Sequence, residues 1–214
     1  MPIIVTGTSV STRTQRVVLV LEEIGLPYEL RTVDLRNGEH KTPGFRMKYN
    51  PFGKVPVFEH GDTKLFESRA ICRYLAAKYK SPLMPENIEV LGFFEQIDSV
   101  GYGFFDTAVD YVADEMIFRR NSVEGEMDQR RIDINKRIIA ECLDYYDGIL
   151  GEHDYLAGND LSLVDLFHAP AVNFISTRLG LDHEITSRPN VKAWWEKVTS
   201  RASWKAVMAR VKSS

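Results

Sequence analysis

The chain has 214 residues, 44% of them hydrophobic and 27% charged, with a formal net charge of -3. That balance suits a globular fold with a substantial core and argues against disorder or a fibrous protein. Such a charge offers no general attraction to nucleic acid or anionic lipid, and no apolar run approaches the roughly 20 residues that span a bilayer. With no signal-like start either, the expected address is the cytoplasm, with neither nucleic acid nor membrane as a partner.

Ile3 to Thr6 is a short β-branched run that stops at the turn residues Gly7, Thr8 and Ser9, which predicts a first strand. From about Arg13 the residues Val17, Val18, Val20, Leu21 and Ile24 cover most of a helical cylinder, and Gly25 and Pro27 stop it. Tyr28 to Leu35 then alternates as a strand, so strand, helix and strand form a compact crossover unit, expected to be right-handed. After a weaker helical stretch over 42–49, Val55 to Phe58 and Thr63 to Phe66 flank His60, Gly61 and Asp62 as a hairpin. Ile71, Tyr74 and Leu75 make an apolar stripe on a helix from Ser68 to Tyr79.

Residues 81–88 hold two prolines and no clear period, which suits a linker between a first domain, 1–80, and a second, 89–214. The second reads as all helical, over 89–120, 124–150, 163–179, 189–200 and 202–211. Ser162 and Asp165 have the spacing of a capping box, with Leu161 and Leu166 placed as the hydrophobic staple. Pro170 falls inside the same helix, where a kink is expected. Cys72 and Cys142 sit on separate predicted helices without a C-x-x-C pair, so both read as reduced core residues and no metal site is expected.

Several motifs follow one another along this framework: Ser11-Thr12 ahead of Arg16-Val17, Gly38-Glu39-His40-Lys41, Asn50-Pro51-Phe52-Gly53-Lys54-Val55-Pro56, and Leu65-Phe66-Glu67-Ser68-Arg69-Ala70-Ile71. In the second half come Tyr155-Leu156-Ala157-Gly158, Ser162-Leu163-Val164-Asp165-Leu166 and Val191-Lys192-Ala193-Trp194-Trp195. Their ordered combination resembles the glutathione transferase family, and within it the phi class of plants and its fungal relatives. The resemblance implies an α/β plus all-α fold, in which a thioredoxin-like N-terminal domain holds glutathione and a helical-bundle C-terminal domain lines the acceptor pocket. It also implies a homodimer. Two positions depart from the pattern: Lys54 stands where phi-class proteins commonly have glutamine, and Arg13 where a small residue is usual.

Glutathione carries two carboxylates and a thiol, so its site needs an anion pocket at each end and a thiolate stabiliser between them. Glu67 and Ser68 stand at a strand-to-helix junction, where backbone N–H groups and the helix dipole favour the γ-glutamyl carboxylate, and Glu67 can accept from the ammonium group. Read without the resemblance, they are an exposed glutamate and a capping serine. His40 and Lys41 can pair with the glycyl carboxylate, although a His-Lys pair is commonly a solvated loop. The resemblance assigns Lys54 to the ligand as well, and implies a cis bond before Pro56 that turns Val55 towards the cysteinyl backbone, whereas sequence alone favours trans.

Ser11, just ahead of the first helix, is the expected thiol activator, with Thr8, Ser9 and Thr12 as nearby alternatives and turn or cap chemistry as the alternative for all four. The acceptor contacts are expected from Val10, Tyr102, Phe105 and Val109, the last three at near-helical spacing that equally suits core packing. Phe52 is either a residue inserted into a partner subunit or an ordinary core phenylalanine. The implied activity joins glutathione, a co-substrate rather than a bound cofactor, to hydrophobic electrophiles, with peroxide reduction as an added capacity. A non-catalytic ligand carrier or assembly module is the alternative.

Overall fold

A computed structural model describes residues 1–118 and 127–212 of the protein. The chain divides into two compact units, Met1–Met84 together with the chain from Thr199 onward, and Pro85–Val198. The division falls inside the expected linker. The second unit ends before the last helix, however, because that helix packs with the first.

The first unit is built on a four-stranded sheet in the order β2-β1-β3-β4. Strand β1 (Ile3–Gly7) runs parallel to β2 (Tyr28–Thr32) and antiparallel to β3 (Val57–His60), which pairs with β4 (Thr63–Phe66). Ile3 faces Tyr28 on one side and His60 on the other, and His60 faces Thr63 across the Gly61-Asp62 turn. His60 thus ends a strand instead of opening the turn, and Gly61 takes φ 62, a conformation that a side chain resists. Strand β2 stops at Thr32, short of the expected Leu35.

Helix α1 (Thr12–Ile24) starts at Ser11 and ends at Gly25, whose φ of 76 lets its N–H and that of Leu26 turn back to the carbonyls of Glu22 and Leu21. Its residues from Thr14 to Leu21 are all buried. Gly7 gives β1 close contact with α1: a Cβ there would lie 2.5 Å from Thr14 Oγ1. A 3-10 turn (Glu39–Lys41) leads into α2 (Pro43–Lys48), and α3 (Ser68–Lys78) packs on α1. The C-terminal helix α10 (Ala202–Lys212) also packs on α1, where Arg201 forms a bidentate pair with Glu23, and the Ser203 hydroxyl donates to the same carboxylate.

The second unit is helical in every described element. Helices α4 (Ile88–Val100) and α5 (Asp106–Ala113) run on through a π-helical turn at Gly101–Phe105, and a second π turn covers Asp114–Phe118. Helix α6 (Gln129–Leu150) follows, then α7 (Leu163–Arg178), α8 (Asp182–Thr186) and α9 (Pro189–Ser200). The ends of the helices expected over 89–120 and 124–150 that fall at 119–126 lie outside the described residues.

Asp165 organises this unit from a fully buried position. Its Oδ2 accepts from the Ser162 backbone N–H and hydroxyl, and its Oδ1 from Leu156 N–H and Trp194 Nε1–H, all at 2.9–3.0 Å. The capping box is therefore also a tie between α7, α9 and the loop before α7. Burial raises the Asp165 pKa, and the four donors oppose that shift.

Candidate active site

Ser11 is the N-cap of α1. Its Oγ accepts from Thr14 N–H at 3.3 Å, while its own backbone N–H is held by the Thr8 carbonyl at 3.1 Å. A hydroxyl that spends its lone pair on the helix keeps its proton for another acceptor, and the α1 dipole favours negative charge there. Thr8 and Ser9 are buried, whereas Thr12 accepts from Arg13 at 3.0 Å. Val10, beside Ser11, is 53% exposed.

A second helix N-terminus lies at Ser68, the first residue of α3, which is buried. Its Oγ accepts from Arg16 Nη1 at 3.0 Å, so this hydroxyl too has its proton to give, with a cation behind it. Arg16 is only 2% exposed and sits on α1, one turn beyond the N-terminus. Sequence reasoning passed over it as a site residue; the available signal was a lone cation inside the buried run from Thr14 to Leu21. Glu67, just before α3, is exposed and has φ 72, a conformation that costs a non-glycine residue about 1–3 kcal/mol and occurs preferentially at functional positions.

The third group surrounds the loop 50–54. Buried Asn50 holds this loop, accepting from Phe52 N–H and donating to the Lys54 carbonyl, both at 3.0 Å. Lys41 Nζ donates to the Gly53 carbonyl at 2.8 Å. The His40 pKa is lowered by partial burial and then by the charges of Lys41 and Arg46. Lys41 is lowered likewise, by burial first and then by Arg46 and Lys54. The Val55–Pro56 bond is cis, and Val55 packs half-buried against the small core of Val33, Phe45 and Val57. Phe52 is 63% exposed, its ring centroid 6.0 Å from that of Phe66. It is not a core residue of its own chain.

In the second unit, Tyr102 is exposed, whereas Phe105 and Val109 are buried. Phe105 packs in the core, its ring centroid 5.9 Å from Tyr146 and 5.8 Å from His168. The π turn at Gly101–Phe105 separates the faces that uniform helical spacing would have aligned.

Neither cysteine forms a disulfide, and burial followed by the Glu141 charge pushes the Cys142 thiol up to about 11, away from nucleophile chemistry. Among the described residues no group of three or more His, Cys, Asp or Glu side chains is placed to hold a metal ion. Nor is any helix among them long and apolar enough to cross a membrane.

Comparison with known proteins agrees with this architecture. The family profile described as the glutathione S-transferase N-terminal domain matches residues 1–77, and that of the C-terminal domain matches residues 104–202. Glutathione S-transferase F10 of Arabidopsis thaliana is 38% identical over 204 residues, covering 92% of each chain. Glutathione S-transferase PM239X14 of the same plant is 41% identical over 199 residues, covering 88% of each. Among solved structures, poplar glutathione transferase F1 superposes with a TM-score of 0.91 at 32% identity over the full length of both chains. Glutathione S-transferase I from maize, in complex with an atrazine glutathione conjugate, superposes with a TM-score of 0.86 at 33% identity, again over both full lengths. With both halves matched in order and relatives of this similarity spanning nearly the whole chain, the protein belongs to the glutathione S-transferase family, with the plant phi class as its kin.

Proposed function

We propose that the protein is a serine-type glutathione transferase that conjugates glutathione to small hydrophobic electrophiles. One observation carries the assignment of Ser11: its oxygen is occupied by the α1 backbone at Thr14, which leaves the hydroxyl proton to donate to the glutathione sulfur. The donor and the helix N-terminus both favour thiolate over thiol. The thiol proton leaves to solvent, the thiolate attacks the electrophilic carbon, a carbon–sulfur bond forms and the leaving group departs with the electron pair of its bond. With a hydroperoxide, the same thiolate would attack the terminal oxygen and break the O–O bond, leaving glutathione sulfenic acid and an alcohol, and a second glutathione thiol would displace water from the sulfenic acid to give the disulfide.

Ser68, backed by Arg16, receives the γ-glutamyl carboxylate, and Glu67 accepts from the ammonium group. His40, Lys41 and Lys54 meet the glycyl carboxylate, and the Val55 backbone pairs with the cysteinyl residue. Val10 is an acceptor contact offered by the first unit and Tyr102 one offered by the second, where Phe105 and Val109 support from the core. Exposed Phe52 suits insertion into a second copy in a homodimer. Two free cysteines suit a reducing cytoplasm, where conjugation of hydrophobic electrophiles would serve detoxification. The test is conjugation of glutathione to a chloronitrobenzene by the unmodified chain and by Ser11→Ala. Equal rates in the two would remove Ser11 from the reaction.

A further inference from the structure

The loop that carries Gly53 is ringed by more positive charge than the His40-Lys41 pair alone supplies. Gly53, at φ 59, lies in a cradle: a Cβ there would come within 2.6 Å of the His40 carbonyl oxygen, 3.0 Å of Arg46 Nε and 3.4 Å of Lys41 Cδ. Arg46 therefore points from α2 at the same backbone that Lys41 grips, and Lys54 is the next residue along. The local acid, Glu39, has its Oε2 accepting from Asp34 N–H at 2.7 Å, and its charge acts on His40 less than those of Lys41 and Arg46 do. Among the described residues neither Arg46 nor Lys54 has a carboxylate partner.

The members of this ring differ in what they can give a ligand. His40 is held below its ordinary range by burial and by the neighbouring cations, so near neutral pH it offers a neutral ring. Lys41 already donates to the Gly53 carbonyl. Arg46 presents a planar guanidinium fork that matches a carboxylate.

We infer that Arg46 is a further glutathione-binding residue, which recognises the free glycyl carboxylate and sets the preference for glutathione over forms blocked at that end. This inference rests on the glutathione-binding reading of the first unit. It adds a residue to that end of the ligand and leaves the thiol chemistry of Ser11 untouched.

The experiment compares glutathione with its glycyl monoethyl ester as substrates, with a chloronitrobenzene saturating, in the unmodified chain, Arg46→Gln and Arg46→Lys. An exposed ion pair is worth up to about 1 kcal/mol, so Arg46→Gln should raise KM for glutathione about fivefold at unchanged kcat. KM for the ester should not move, and Arg46→Lys should recover part of the loss. An unchanged KM for glutathione in Arg46→Gln overturns the inference, and so does an equal rise for acid and ester, which would mark a structural role. An unmodified chain that uses neither form would remove the underlying reading too, whereas one that uses both, with Arg46→Gln indistinguishable from it, removes this inference alone.

Discussion

Replacing Ser11 by alanine removes two interactions that can be measured apart. The first is the N-cap: Thr14 N–H loses its acceptor, a long one at 3.3 Å, so about 0.5–1 kcal/mol of stability should be lost. The second is the donor to the glutathione sulfur. A cysteinyl thiol titrates at about 8.5, and each unit of depression requires about 1.36 kcal/mol of preference for the thiolate. A hydrogen bond to a charged group contributes roughly 1.5–3 kcal/mol, equivalent to about one to two units. If the bound thiol titrates near 7 in the unmodified chain and returns to about 8.5 in the variant, the ionised fraction at pH 7 falls about fifteenfold, and kcat should follow. Thiolate ultraviolet absorbance of the bound glutathione, followed across pH, reads this shift directly, and Ser11→Thr should preserve it by keeping a hydroxyl. A variant that loses stability while its thiol titrates unchanged would refute the reasoning, because Ser11 would then be a helix cap and nothing more.

Three other perturbations probe the frame behind the site. Asp165→Ala strands four buried donors, at Leu156, Ser162 and Trp194, and should cost about 3 kcal/mol or more in urea unfolding. Gly7→Ala drives a Cβ into Thr14 and should cost about 1–3 kcal/mol; adding Thr14→Ala should recover part of that, measured by thermal unfolding. The Glu23 carboxylate feels burial, which raises its pKa, but hydrogen bonds from Arg201 and Ser203 and the Arg201 charge bring it below its ordinary value. Its contribution is therefore present above the unfolded pKa and lost as pH falls through the lowered folded one, so the stability gap between the unmodified chain and Glu23→Gln should close as pH falls from the ordinary glutamate range to below it.

Much of the first unit was legible in the sequence because its signals are local. The run from Ile3 to Thr6, the stop at Gly25 and the Gly61-Asp62 turn each determine an element within a few residues. The Ser162-Asp165 spacing announced a cap in the same way. What it could not announce was that Asp165 also collects Leu156 and Trp194, since those partners come from other segments. Arg16 escaped for the same reason: its partner Ser68 lies across the crossover on α3. The helix around Gly101 and Gly103 looked periodic, yet one wide turn is enough to bury Phe105 and leave Tyr102 outside. Nor does any local pattern tell α10 to pack on α1, where the polar clamp on Glu23 joins buried Trp204 and Val207 in holding it.

A crystal structure of the unmodified chain with glutathione bound tests the central claim most directly. The account predicts the sulfur within hydrogen-bond reach of Ser11 Oγ, one carboxylate at the Ser68 end of α3 and the other beside His40 and Lys41. A tripeptide bound with its sulfur remote from Ser11, or none bound at millimolar concentration, would contradict it.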